Sequence, residues 1–512
     1  MNGTIWGRGA PPVVIQEQDT YDADVAVIGS GAGGSTLAWA LASTGARVLV
    51  VERGGFLPHE EANWSPDAVF GEGRYHNAGT WHTADGRPFT PANHYYVGGT
   101  TKVYGAALPR LRVSDFDATE QLEGTSPGWP FSYADLEPYY AEAERLYRVH
   151  GQDGADPTAP PRSEPYPHPP VPHEPVIGEL AAKLTDQGLH PFPVELGIDL
   201  AARGACLRCG TCDAFPCRVD AKSDAETRAL RPALRTGTVR LLTRTRAERL
   251  LTDPAGRRVT AVDAERGGRT VRIWAGTVVV SCGAINSAAL LLRSGGAAHP
   301  DGLANGSGLV GRNLMVHNNS VLMAVDPRRR NPVTFQKTLA VNDFYHPLGN
   351  LQLMGKVHEA ALAASHPHVP RRILGAVAAR SVDWWVMSED LPDPDNRVLP
   401  GPDGGVILRR RPTNTRAHRG LVRGAARMMR RAGYPLVLRR RMGVEATGHQ
   451  CGTTVAGLDE TRSVLDPHCR SHQVRNLFVV DGGFFPSSAA VNPTLTIAAQ
   501  ALRTAREGGV LP

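Results

Sequence analysis

Gly29-Ser-Gly31-Ala-Gly33-Gly34, followed 18 residues later by Glu52, is the first set of residues in this chain that could do chemistry. Gly29 permits a tight turn, Gly31 lets the backbone approach a pyrophosphate, and Gly34 allows a helix to pack closely on a strand. A helix beginning at this turn points free N–H groups and its positive dipole end at phosphate oxygens. An acid at Glu52 is placed to accept a hydrogen bond from a ribose 2′-hydroxyl and disfavours a 2′-phosphate, which argues against NADP. Near the other end of the chain, Asp481-Gly482-Gly483 offers an acid and backbone amides suited to the ribityl and pyrophosphate part of FAD. The two ends would then build one cofactor site.

These residues need elements to hold them, and the elements come in the required order. Asp24–Ile28 is a short apolar run rich in β-branched residues, the pattern of a buried parallel strand, and it leads straight into the glycines. Residues 35–43 predict a helix with Leu37, Ala38, Ala40 and Leu41 on its apolar face, and Arg47–Val51 predicts a second strand ending at Glu52. Asn476–Val480 predicts the late strand that presents Asp481, and Thr496–Ala505 a helix after it. A lone glycine fingerprint is weak; strand, turn, helix, strand and acid in sequence are specific.

With these segments in place, the chain resembles the glucose–methanol–choline (GMC) oxidoreductase family of FAD enzymes over residues 24 to 505. Tyr96-Val-Gly98-Gly99-Thr100-Thr101-Lys-Val-Tyr104-Gly105 is similar to the family's Gly-Gly-Ser/Thr loop near the flavin ring. Residues 281–295 are similar to its second signature, Val310-Gly-Arg-Asn-Leu-Met-Val-His317 to a third block, and residues 389–398 to a segment of the substrate-binding half. Gly448-His449-Gln-Cys-Gly452-Thr453 and Val491-Asn492-Pro493 match the two catalytic positions. Tyr104 stands where the family loop often has Asn, and Ala288 follows Ser287 where Pro is usual. The covalent-flavin His motif of some relatives is not matched around Thr80-Trp81-His82, so the resemblance implies non-covalent FAD. The implied fold is α/β: a Rossmann-like FAD-binding domain with a discontinuous α+β substrate-binding domain on a mainly antiparallel sheet. The implied cofactor contacts are Gly29, Gly31, Gly34, Glu52, Gly98, Gly99, Thr100, Thr101, Asp481, Gly482 and Asn492.

Oxidising an alcohol requires removal of the hydroxyl proton and of a hydride on carbon, and flavin N5 takes the hydride. The resemblance assigns His449 as the base and Asn492 as the residue holding the hydroxyl oxygen. An imidazole with an ordinary pKa near 6.5 is receptive at neutral pH. An amide both donates and accepts, so it orients a hydroxyl without competing for its proton. The implied reaction oxidises a hydroxyl of a sugar, glycoside or polyol, with oxygen or another acceptor completing the cycle. A ring secondary alcohol of a pyranose or glycoside is preferred on family likeness. A primary alcohol of a natural product, such as an aminosugar, is the first alternative. A flavin/iron–sulfur electron-transfer subunit is an alternative of another class.

That last alternative rests on Cys206-x2-Cys209-x2-Cys212-x4-Cys217. The ferredoxin run is C-x2-C-x2-C-x3-C-P. Here the last spacing is four, and Pro216 precedes the final Cys. A loop of buried thiols or a local disulfide therefore ranks first, zinc second and an iron–sulfur cluster last, and no metal site is expected.

The 512 residues carry a net charge of +6, mild for this length, and only five of the 56 cationic residues are lysine. Arginines recurring over Arg416–Arg431 beside Leu421, Ala425 and Met428 read as the solvated face of a helix, with no nucleic-acid motif beside them. No signal-peptide pattern and no run of ~20 apolar residues is present, so a cytoplasmic location without membrane or nucleic-acid partners is expected. Residues 20–112, 236–320 and 446–512 are expected to form the FAD-binding domain, and 113–235 with 321–445 the substrate or cap domain. The Pro-rich stretch 151–176 reads as a surface loop or lid, and Tyr133–Val149 as an amphipathic helix before it. Trp384 and Trp385, adjacent in a predicted strand, must face opposite sides.

Overall fold

The computed structural model describes residues 18–76, 79–200, 204–401, 404–443 and 448–511. The elements that position the site are, in chain order, β1 (Thr20–Ile28), α1 (Ala32–Leu41), β2 (Val48–Val51), α2 (Tyr133–Leu146) and β3 (Pro191–Pro193). They continue with β4 (Val239–Leu242), β5 (Arg246–Thr252), β6 (Val259–Arg266), β7 (Arg269–Val280) and α3 (Ala284–Arg293). Next come β8 (Asn318–Val325), β9 (Leu339–Val341), β10 (Asn350–Leu353), α4 (Glu359–Ser365), α5 (Arg371–Ala378) and β11 (Ser381–Ser388). Last are α6 (Thr415–Arg431), β12 (Leu436–Arg441), β13 (Leu477–Val479) and α7 (Thr494–Glu507).

The first sheet has the order β4-β2-β1-β7-β6-β5, with β13 also paired to β7. Its central strands are parallel, with Val25–Ile28 beside Val48–Val51 on one side and Thr277–Val280 on the other. Both faces of these strands are covered, which is why they read as unbroken apolar runs. β7 is long enough to fork: its first half pairs antiparallel with β6, and Val278–Val280 pair parallel with β13. This is the Rossmann-like arrangement expected, with α1 beginning at Ala32, three residues before the predicted start.

The second sheet, β12-β8-β11-β10-β9-β3, is antiparallel throughout. Its strands alternate. Leu322, Ala324, Leu351, Leu353, Val382, Trp384 and Val386 pack toward α6, which buries Leu421, Ala425 and Met428 against them and leaves its arginines outside. Trp385, as alternation demands, faces the other side and lines a cavity.

Ser132 and Asp135 form a capping box at the start of α2. The helix ends at Leu146, and Val149 opens a short strand. The Pro-rich stretch is strapped down: Arg162 joins Arg110 on the buried carboxylate of Glu144, and Asp156 pairs with Arg112. None of residues 151–176 lines the cavity, and the stretch packs as a surface loop. No helix among the described residues is long and apolar enough to cross a membrane.

The Gly98–Thr101 loop runs into Lys102, whose Nζ lies 3.0 Å from Asp224 Oδ2 and 2.7 Å from Glu226 Oε2, all three side chains being at most 4% exposed. Burial alone would lower the ammonium pKa; the two carboxylates outweigh it and raise it. Lys102→Met leaves the buried Asp224 carboxylate without a cation and Glu226 with Arg231 alone, and a loss of about 3–5 kcal/mol in unfolding free energy is expected. Urea denaturation of the two proteins checks this, and a loss under about 1 kcal/mol would contradict it.

Candidate active site

A cavity of about 1130 Å³ lies between the ends of the parallel strands and the inner face of the second sheet. Ile28 and Val51 line it from one side, and Val321, Gln352, Trp385 and Met387 from the other. The first turns of α1, α3 and α7 also line it. None of the three has a side-chain N-cap or an acid in its first turn, so three sets of free N–H groups and positive dipole ends converge on one space.

The glycine turn has the shape a phosphate chain needs. Gly29 sits at φ +104°, and a Cβ there would come within 2.2 Å of the Ser281 carbonyl oxygen. At Gly31 a Cβ would meet nothing within 4 Å, so its backbone is open to the cavity. Gly34 packs the helix onto the turn, its Cβ position lying 2.1 Å from the Gly29 carbonyl oxygen. Gly99 brings the second glycine loop to within 3.1 Å of Gly31 Cα, measured from the Cβ it lacks. These open backbones and uncapped helix ends fit the pyrophosphate and ring of FAD.

Ser30 joins the two loops. Gly98 N–H donates to Ser30 Oγ at 3.1 Å, and Ser30 Oγ–H donates to Glu52 Oε2 at 2.6 Å. Glu52 also accepts from the amides of Ser30 and Gly54, and burial pushes its carboxyl pKa up. Glu52 lines the cavity while bracing the turn beside it. Thr100 lines the cavity, whereas Thr101 directs its hydroxyl to the Gly98 carbonyl at 2.6 Å. Gly34 and Gly98 are the two expected contacts outside the lining. Asp481 and Gly482 line the cavity, with the Asp481 carboxylate accepting from Ser287 Oγ–H and Gly483 N–H.

His449 and Asn492, 43 residues apart, are brought together: Asn492 Nδ2 lies 3.3 Å from His449 Nε2. Both line the cavity and both are half-buried. The remaining partners fix which nitrogen of His449 is free. His317 Nε2 lies 2.8 Å from the Ser488 carbonyl oxygen, which can only accept. His317 therefore carries its proton on Nε2 and, with burial lowering its pKa, accepts at Nδ1. His449 Nδ1 is 3.1 Å from that atom and must donate to it. The Nε2 lone pair of His449 is left as the acceptor, facing Asn492. Gln352 Nε2 donates to Asn492 Oδ1 at 3.1 Å, so the amide presents its NH2 to the imidazole.

Next to this pair, the Lys337 ammonium meets the Asp213 carboxylate, which also accepts from Gly355 N–H at 2.6 Å. The backbone at Gly105 passes so close that a Cβ there would fall 1.7 Å from both charged groups. Asp213 directly follows Cys212, so the cysteine loop delivers a carboxylate to the cavity wall. All seven cysteines are free thiols, so the local disulfide is not formed. Among the described residues no three His, Cys, Asp or Glu side chains are grouped to hold a metal. Burial raises the thiol pKa of Cys206 and takes that of Cys212 to about 12. Ser30, Asp213, His317, Lys337 and Gln352 were not among the residues singled out for the site. Ser30 lies within the first glycine motif and His317 ends the Val310–His317 motif, whereas Asp213, Lys337 and Gln352 carry no local signal.

The GMC oxidoreductase family pattern matches residues 72–319 in its N-terminal part and 409–501 in its C-terminal part, and an NAD(P)-binding Rossmann-like pattern matches 27–58. The chain is 35% identical to paromamine 6'-oxidase of Streptomyces fradiae, over 94% of this chain and 90% of that protein. It is 30% identical to 2-methyl-1,2-propanediol dehydrogenase of Mycolicibacterium austroafricanum, over 94% of each. Among solved structures, pyridoxine 4-oxidase of Mesorbium loti shares the fold with a TM-score of 0.67 at 20% identity, covering 95% of this chain and 99% of that one. Matches of this extent, at this identity, establish that the chain belongs to the GMC oxidoreductase family and is an FAD-dependent enzyme acting on CH–OH groups.

Proposed function

We propose that this enzyme oxidises a primary alcohol of a small molecule to the aldehyde, with His449 as the base and Asn492 as the hydroxyl-holding residue. The observation that carries the chemistry is the hydrogen-bond chain from the Ser488 carbonyl through His317 to His449, which leaves the Nε2 lone pair facing the cavity. The names of the two relatives favour a primary alcohol over the ring secondary alcohol preferred from the sequence. In 2-methyl-1,2-propanediol the carbon at position 2 has no hydrogen to lose, so only its primary alcohol can become a carbonyl. A shared 6'-oxidase likeness points the same way.

FAD, when bound non-covalently between the glycine loops, supplies the acceptor for the carbinol hydride. The chain's own residues do the rest. Asn492 Nδ2–H holds the hydroxyl oxygen, and His449 Nε2 takes the hydroxyl proton as negative charge builds on oxygen. Gln352 keeps the amide from flipping, and His317 keeps the imidazole in the tautomer that can accept. The cavity's two walls come from the two sheets, which supports two interleaved units at the boundaries expected from sequence.

His449→Ala should retain bound flavin and slow anaerobic flavin reduction by an alcohol about 10²–10⁴-fold. Unchanged reduction would remove His449 from the mechanism. Burial, then the neighbouring His317 and Lys337, lowers the His449 pKa to about 3. The imidazole is therefore neutral and able to accept through the whole range above that value. The reduction rate should be level from pH 8 down to about 5, with its acid limb far below the ordinary histidine value near 6.5. The same shift acts on stability. The unfolded chain takes up a proton below about 6.5 and the folded one resists it, so this contribution falls as pH falls from there toward 3. His317→Phe removes the acceptor for His449 Nδ1–H. It should lower the reduction rate by about 10²-fold or more with flavin content unchanged, as expected for loss of the working tautomer. Stopped-flow absorbance of the flavin reads the three rate effects, and urea denaturation as a function of pH reads the stability effect.

A further inference from the structure

The cavity continues beyond His449 and Asn492 along the inner face of the second sheet. Met323 on β8, Met354 just after β10, Trp385 and Met387 on β11, and Leu438 on β12 form this wall. Four of the chain's eight methionines, Met323, Met354, Met387 and Met442, line the cavity. Gln352, on the same face, bonds Asn492 directly, so the wall begins at the reacting pair. Farther out, the α4–α5 hairpin adds Leu362, Val369, Ile373 and Val377. Val369 is 36% and Ile373 49% exposed, so apolar side chains sit at the rim as well as inside.

Charge in the same space is one-sided. Among the described residues only Glu52, Asp213 and Asp481 bring carboxylates to the lining. Glu52 and Asp481 brace the loops at the Rossmann end, and Asp213 is neutralised by Lys337. On the sheet side, Lys356 and Arg440 line the cavity, with Lys356 Nζ donating to the carbonyl oxygens of Asn331 and Val333 at 3.1 and 2.9 Å. An ammonium brought against this wall would face Lys356 and Arg440, cations of its own sign. Thioethers and an indole instead suit an irregular apolar body.

We infer that the substrate's carbinol is carried on a largely apolar body that bears no ammonium groups, which sets this enzyme apart from its aminosugar-oxidising relatives. The inference rests on the alcohol-oxidising reading of the His449–Asn492 pair for where the carbinol sits.

The test uses FAD-loaded His449→Ala protein, which binds without turnover, and the n-alkanols from 1-butanol to 1-octanol, with the aminosugar paromamine as the cationic comparator. Calorimetry should show Kd tightening about fourfold per methylene, the gain of burying each CH₂, and paromamine binding more weakly than 1-butanol. A Kd flat with chain length, no alkanol binding, or paromamine binding more tightly than 1-octanol would overturn the inference. Ile373→Glu at the exposed rim, and Met354→Gln within the wall, should each flatten the dependence for the longer alkanols. Anaerobic flavin reduction in the unsubstituted enzyme separates the two readings. Alkanols that bind with the chain-length gain but never reduce flavin defeat the oxidation reading alone. Reduction by alcohols with no chain-length gain defeats the apolar-body inference alone.

Discussion

A single carbonyl oxygen, that of Ser488, sets the direction of the protons on His317 and His449. Because it can only accept, His317 must donate to it, His449 must donate to His317, and the remaining imidazole nitrogen must be a lone pair. The amide of Asn492, held by Gln352, meets that lone pair from the sheet side. Burial reinforces the arrangement by keeping both imidazoles neutral. His449 thus holds a free acceptor nitrogen without first having to lose a proton.

The same economy of partners holds at the cofactor end. Ser30 receives a proton donor from one glycine loop and donates to Glu52 at the end of β2, so two loops distant in sequence move as one piece. Gly105 and the ion pair beside it do a comparable job at the other end, where a residue with any side chain would drive Asp213 and Lys337 apart. The cysteine loop, which on spacing alone invites a metal, works in the folded protein as the carrier of Asp213.

Much of the fold could be read from the chain because its signals are local. Val25–Ile28 followed by Gly29 and Gly31 is a contiguous strand and turn, and its geometry depends on neighbours a few residues away. The opposite faces of Trp384 and Trp385 follow from alternation, while the mainly antiparallel second sheet was implied by the family resemblance. His449 and Asn492 were reached through short motifs. His317 was not assigned a role, because its meaning lies in a contact with a residue 132 positions away. Gln352 and Asp213 likewise have no pattern around them that distinguishes a site residue from a wall residue. For the Pro-rich stretch, composition marks a surface loop but does not report that buried arginine–carboxylate pairs tie it down. The length of the predicted α1 missed its first turn, since three glycine-rich positions have low helix propensity and are helical here because a turn and a sheet hold them.

The fork in β7 has a consequence for how the chain comes to be folded. β1 and its glycine turn are made first, yet β1 completes its pairing only with residues 272–280, and β13, paired to the same strand, ends at Val479. Parallel partners this far apart carry a large loop-closure cost and give a slow, high-contact-order assembly. The N-terminal fingerprint therefore waits, unpaired on its inner edge, until residues 272–280 have been made, and that partner strand in turn waits for residues 477–479. A truncated product ending before residue 477 would carry every glycine of the first loop and still lack a finished cradle to receive a nucleotide.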